Sequence, residues 1–169
     1  MSVLTTIDFL RHGECIDGHC YRGSTDVALT PEGLSAMNQK VEEFILKEKN
    51  NNEERIEEGS EENSGEKLWH RIVSSPLQRC SHFSQELSQT LQRPLHIEPA
   101  LQEIHFGDWE GESVDMIWQS TPEKVERWAN DPVNFPPPNG EAADDFLARV
   151  SASFLSLIQQ YAGEKLLIV

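Results

Sequence analysis

The chain is expected to fold as an α/β protein, a three-layer α/β/α sandwich around a mostly parallel sheet, and three observations predict it. Short runs rich in apolar and β-branched residues alternate with longer segments whose apolar residues recur at helical spacing, the pattern of a parallel sheet covered on both faces. The first two such runs each end in polar sequence that carries an arginine, as expected where strands of an open sheet deliver residues to a ligand-binding edge. The length, 169 residues, suits one core and leaves no room for a second, so residues 1–169 are read as a single domain.

Val3 to Leu10 is too short for a lone helix and apolar enough for a buried strand. Thr30-Pro31-Glu32 then supplies a capping hydroxyl, a proline suited to the first helical position and an acid in the first turn. Leu34, Met37, Val41, Phe44 and Ile45 repeat at helical spacing behind it, which predicts an amphipathic helix. Lys47 to Lys67 contains a single large apolar residue, Ile56, and is expected to be a solvated, flexible acidic insertion. Trp69 to Ser75 predicts a second strand, closed by Ser75-Pro76, with proline opening a helix striped by Leu77, Cys80, Ser84, Leu87 and Leu91. Leu95 to Ile97 fits a short strand, and residues 113 to 131 fit short helical pieces bearing Trp118 and Trp128. After "NFPPPNGE", Phe146, Leu147, Val150, Phe154, Leu157, Ile158 and Tyr161 mark a long helix, Gly163 its end, and Leu166 to Val169 a further buried strand.

Composition narrows the function classes. With 29 acidic against 14 basic residues the formal charge is -15, which repels nucleic acid and anionic membranes over most of the surface. Any anionic ligand must therefore find a local basic pocket. Hydrophobic residues make up 37% and charged residues 25%, which fits a folded core without a membrane span. The N-terminal run lacks the basic start of a secretory signal, and a cytoplasmic location is the default expectation. Cys15, Cys20 and Cys80 form an odd set without a Cys-x-x-Cys pair and are read as reduced thiols. Cys15, His19 and Cys20 lack the separated pairs of a structural zinc site, and no metal or other cofactor is assigned.

The chemistry is read at the strand ends. Arg11-His12-Gly13 leaves the first strand and Ser75-Pro76-Leu77-Gln78-Arg79 leaves the second, at the same sheet edge. Two guanidiniums beside a free helix N-terminus suit a phosphate, because planar donors match its oxygens and the helix dipole favours an anion. Between them His12 can act as a nucleophile toward phosphorus, in the neutral form that nearby positive charge favours. The departing alcohol then needs a proton, and Glu103 is the candidate donor, with Asp108, Glu110 and Glu112 as alternatives. Arg22 is either a substrate contact or a partner in a surface ion pair.

Four ordered motifs carry a resemblance: "LRHGE", "YRGSTDVALTPEG", "SSPLQRC" and "LQEIHFGDWEG", followed by "PPNGE" and a long helix. Together they resemble the histidine phosphatase superfamily, in its phosphoglycerate mutase-like branch, with a flavour closest to the alpha-ribazole phosphatases of cobalamin synthesis. The resemblance implies that His12 forms a phosphohistidine, that Arg11 and Arg79 bind the phosphoryl group, that Arg22 lies near the substrate and that Glu103 is the proton donor. It implies a phosphomonoesterase acting on a small phosphate ester. The alternatives are a phosphoglycerate mutase or sugar-phosphate phosphatase of that branch, or an impaired relative that binds phosphoesters. Relatives carry a second histidine after the last strand, whereas this chain ends at Val169. A chain shortened at its C-terminus, with weakened catalysis, is therefore the expectation. Asp17-Gly18 stands where many relatives have an asparagine near the phosphate, Phe83 where threonine is frequent and Ala142 where serine is frequent.

Overall fold

The computed structural model describes residues 4–57 and 68–169. Four parallel strands, β1 (Thr6–Phe9), β2 (Arg71–Ser74), β3 (Leu95–Ile97) and β4 (Lys165–Ile168), lie in the order β1-β4-β2-β3. Among the described residues five α-helices accompany them: α1 (Pro31–Glu57), α2 (Gln78–Leu91), α3 (Val114–Ser120), α4 (Pro122–Asn130) and α5 (Ala143–Gln160). Side-chain alternation along the strands separates two cores. Ile72 and Leu167 join Met37, Val41 and Phe83 on the α1/α2 side, while Val73, Leu166 and Ile168 join Leu157 and Tyr161 on the α5 side. The expected sandwich is thus formed, with one helical layer on each face. A satellite cluster of Tyr21, Trp109 and Val125, flanked by Trp128 and Phe106, anchors the segment that carries α3 and α4.

Local chemistry explains the element ends. The Thr30 hydroxyl accepts from Gly33 N at 2.9 Å, capping α1 as its sequence anticipates. Gly163, with φ +82°, ends the turn after α5, a conformation open to glycine at little steric cost. Trp69 is nearly fully buried, stacks on Phe44 at 5.2 Å and donates its indole N–H to Asp8 at 2.7 Å, tying β1 to the α1 side of the sheet.

Several expectations are corrected. The first strand is shorter than Val3–Leu10 and is not buried: among the described residues β1 is a sheet edge paired only with β4, which leaves Phe9 68% exposed. Residues 47–57 of the segment read as a flexible insertion continue α1, and residues 58–67 lie outside the described residues. Lysine and glutamate are good helix formers, and Glu48 is held by Lys165 Nζ at 3.2 Å, so this part of the helix persists beyond its apolar stripe. α2 opens at Gln78 rather than Pro76, because Leu77 keeps an extended backbone as the capping residue. On α5, Leu147 and Ile158 belong to the apolar stripe yet are exposed, since the helix meets the sheet side through Phe154, Leu157 and Tyr161. Among the described residues, no helix is long and apolar enough to cross a membrane.

Candidate active site

Register brings the carboxyl ends of the strands level. Phe9 lies opposite Ile168, Val73 lies opposite Ile168, and Ser74 lies opposite Ile97. The residues that follow each strand therefore meet at one edge, around a cavity of about 320 Å³. Arg11, His12, Arg79 and Glu103 all line it, and Phe146, Val150 and Phe154 of α5 form an apolar wall. Glu103 and Gln102 also line a second, larger cavity of about 560 Å³, together with Ser24, His105, Asn139 and Arg149.

His12 is half-buried, and its Nδ1 lies 2.8 Å from the Gly13 carbonyl oxygen. A carbonyl only accepts, so Nδ1 carries the proton and Nε2 of the neutral ring keeps its lone pair. Burial is the largest influence on this ring and lowers its pKa below the ordinary value; the Gly13 bond opposes it, and Arg79, Arg11 and Arg22 add to the lowering. The sign matches the sequence expectation, but burial leads rather than positive charge. Glycine at 13 has a steric reason: a Cβ there would overlap the backbone of Gly33 in the first turn of α1.

The thiol in the cavity is disfavoured as a nucleophile by its protonation. Cys80 lines the same space, yet burial pushes its thiol up to about 11, so at neutral pH it stays protonated. Cys15, buried with Sγ 3.8 Å from His12 Nδ1, is likewise raised by burial.

Arg79 is nearly fully buried. Nη1 donates to the Thr25 carbonyl at 3.0 Å and Nη2 to the Gly23 carbonyl at 2.8 Å, while its buried Nε has no partner among the described residues. An orphaned guanidinium N–H is costly unless something accepts from it, and an anion in this cavity is a suitable acceptor. The helix N-terminus beside it is not free as the sequence suggested. Asp26 Oδ1 accepts from Gln78 N at 2.7 Å, so a side chain of the "YRGSTD" loop already caps α2.

Arg22 is not among the residues lining the His12 cavity. Its Nε donates to both Asp17 oxygens at 2.7 and 2.9 Å, and Nη2 donates to Gly18 O at 2.6 Å. The Asp17 carboxyl is raised by burial, but the bonds from Arg22 and Cys20 outweigh this and leave its pKa lowered. The Asp17-Gly18 pair thus orients a guanidinium whose field still reaches His12. Cys15, His19 and Cys20 face different partners, Gly13, Asp115 and Asp17 respectively, and among the described residues no group of three or more metal-binding side chains is assembled.

Glu110, an alternative proton donor in the sequence, is occupied elsewhere. Its carboxylate accepts from Ser24 N at 2.9 Å, Thr25 N at 3.0 Å, Phe106 N at 2.8 Å and the Thr25 hydroxyl. Burial raises its pKa, and these bonds reverse the shift so that it lies below the ordinary value. It is a fixed anion that shapes the loop whose carbonyls hold Arg79. Neither Asp108 nor Glu112 lines either cavity. Glu103 does so with an exposed side chain, whose Oε1 accepts from its neighbour Ile104 N at 3.0 Å. The sequence reading missed Glu110 as a loop organiser, and it assigned nothing to Arg149 and Glu141. The only signal for them was their place in "FGDWEG", in "PPNGE" and one turn into the last long helix.

Residues 59–169 match the profile described as histidine phosphatase superfamily (branch 1). The chain is 35% identical over 98 residues to a bifunctional protein of Mycobacterium tuberculosis, covering 58% of this chain and 27% of that protein. It is 33% identical over 100 residues to the adenosylcobalamin/alpha-ribazole phosphatase of Salmonella typhimurium, covering 59% of this chain and 49% of that protein. The solved alpha-ribazole phosphatase of Shigella flexneri superposes with a TM-score of 0.68 and 26% identity, over 96% of this chain and 71% of that one. The matches thus span about a quarter to a half of the length of these curated relatives.

Proposed function

This chain belongs to the histidine phosphatase superfamily (branch 1), and we propose that it hydrolyses a phosphomonoester through a phosphohistidine on His12. The observation that carries the reading is the His12 ring, protonated at Nδ1 by its bond to Gly13 O and set in one cavity with Arg11, Arg79 and Glu103. In the first step the Nε2 lone pair attacks phosphorus, and the bond from phosphorus to the ester oxygen breaks. Its electron pair leaves with that oxygen, which takes a proton from the Glu103 carboxyl group. In the second step water attacks the phosphohistidine and gives a proton to Glu103. The P–N bond breaks, returning its pair to Nε2 and releasing inorganic phosphate.

Arg11 and Arg79 bind the phosphoryl oxygens and stabilise the charge that builds on them in both steps. Arg22 acts from outside the cavity, through its field on His12. The cycle as written draws on no metal or cofactor. For the substrate, the relatives named alpha-ribazole phosphatases favour alpha-ribazole 5'-phosphate. The cavity of about 560 Å³ beside Glu103 is of a size to take a nucleoside-like leaving alcohol.

The purified chain should release phosphate from alpha-ribazole 5'-phosphate with a higher kcat/KM than from 3-phosphoglycerate, and His12→Ala should abolish release from both. Equal or reversed preference removes the substrate assignment. Undiminished turnover by the His12 variant removes the nucleophile.

A further inference from the structure

Glu103 sits on a segment with little regular structure of its own. A single 3-10 turn at Pro99–Leu101 precedes it, and among the described residues its carboxylate takes only the adjacent Ile104 N–H. A proton donor must nonetheless be held in place relative to the leaving oxygen, because an error of about 1 Å can cost roughly 10²-fold in rate. The restraint acts on the main chain of this segment. Arg149, from the second turn of α5, donates Nη1 to Ala100 O at 2.9 Å and to Gln102 O at 2.7 Å, and Nη2 to Glu103 O at 3.3 Å.

The rest of the guanidinium is anchored by Glu141. Nε donates to Oε1 at 2.6 Å and Nη2 to Oε2 at 2.8 Å, a two-pronged pair in which the Arg149 bond is the leading cause of the lowered Glu141 pKa. Glu141 also grips the far side of the segment: Oε2 accepts from His105 N at 3.3 Å, and its own N–H donates to His105 O at 2.8 Å. Phe146, which walls the His12 cavity, lies against the same guanidinium at 4.9 Å.

A guanidinium has five N–H donors, and five acceptors surround this one. Arg149 lines the larger cavity but has no donor left for a substrate anion. We propose that Arg149, fixed by Glu141, is the positioning residue that sets the Glu103 carboxyl against the leaving oxygen. The inference rests on the reading of Glu103 as proton donor. Lysine cannot replace it, since a point charge with three donors cannot hold three carbonyls and a carboxylate in this fork.

The test exploits leaving-group chemistry. An alkyl phosphate such as ribose 5-phosphate needs a proton on its departing oxygen, whereas 2,4-dinitrophenyl phosphate, with a good leaving group, needs little help. Arg149→Lys should lower kcat/KM about 10²-fold for the alkyl ester and by far less for the aryl ester, as should Glu103→Gln. A residue serving general folding or phosphate binding would depress both esters in parallel. Selective loss in Glu103→Gln but parallel loss in Arg149→Lys overturns the inference and leaves the proton donor standing. Parallel loss in Glu103→Gln overturns the proton donor itself. Should Arg149→Lys fail to fold by circular dichroism, Glu141→Gln, which keeps the arginine and releases its anchor, takes its place. Selectivity for the alkyl ester is again the expected result, and parallel loss again overturns the inference.

Discussion

Replacing Glu110 by glutamine tests how the arginine loop is held, because the change removes a charge while conserving shape. Oε1 of Glu110 receives Ser24 N and Phe106 N, and Oε2 receives Thr25 N and the Thr25 hydroxyl. A glutamine can keep one oxygen in the first position. It must then present an NH₂ to Thr25 N, so one charge-assisted bond is lost and a half-buried donor faces another donor. Bonds to charged groups contribute about 1.5–3 kcal/mol each, and an unpaired donor costs about 1–3. Partial exposure of Glu110 argues for the lower end of the summed range, so unfolding in urea at pH 7 should show a loss of about 2.5–3 kcal/mol. For a chain of this size that corresponds to a Tm lower by roughly 5–10 °C.

The pH dependence supplies a second reading of the same variant. Glu110 has a folded pKa below its unfolded one, so its contribution is present above the unfolded value near 4.3 and fades as pH falls through the folded value. The stability gap between the wild-type chain and Glu110→Gln should therefore narrow in acid. Because the same loop offers Gly23 O and Thr25 O to Arg79, phosphate affinity should fall together with stability. A variant within about 0.5 kcal/mol of the original at pH 7, or a gap that widens in acid, refutes the role given to this carboxylate.

Two further outcomes follow from the geometry. The imidazole of His12, followed by NMR, should titrate below 6.5, and Arg11→Gln should raise the midpoint while leaving it below that value, because burial leads the lowering. A return to 6.5 or above would give the leading part to charge. Stability from this group is complete above pH 6.5 and declines as pH falls from there to the folded pKa, since the unfolded ring then takes up a proton that the folded ring resists. Trp69→Phe should lower the unfolding free energy by about 2 kcal/mol in denaturant titrations, because Asp8 loses the indole N–H that now meets it at 2.7 Å. No measurable change would mean that water or Lys165 replaces the indole without cost.

The sequence made the layers and the cavity legible for local reasons. Periodicity marked α1, α2 and α5, and the apolar runs marked the strands. The rule that parallel strands end at a common edge then placed His12 and Arg79 together before any coordinates did. What stayed hidden depends on pairings distant in the chain. Glu110 meets Thr25 across 85 positions, and Arg149 meets Ala100 across 49, separations at which no spacing rule operates. The capping of α2 by Asp26 turned a helix end expected to be open into an occupied one, and the binding of Arg22 by Asp17 selected the ion pair of the two roles the sequence left open. Exposure of Phe9 and Leu147 was unreadable for the opposite reason: an apolar stripe states which residues are able to be buried, and packing against a neighbour decides which are.

The most direct test of the account is to trap the phosphorylated protein. The chain is mixed with a radiolabelled phosphomonoester, quenched in alkali within milliseconds to seconds, and mapped for label that survives base and is released by acid. The account predicts such label on the peptide bearing His12, reduced in Arg79→Met and absent in His12→Ala. Label on Cys80 or on another histidine, or turnover that proceeds with no labelled protein at any quench time, would contradict it.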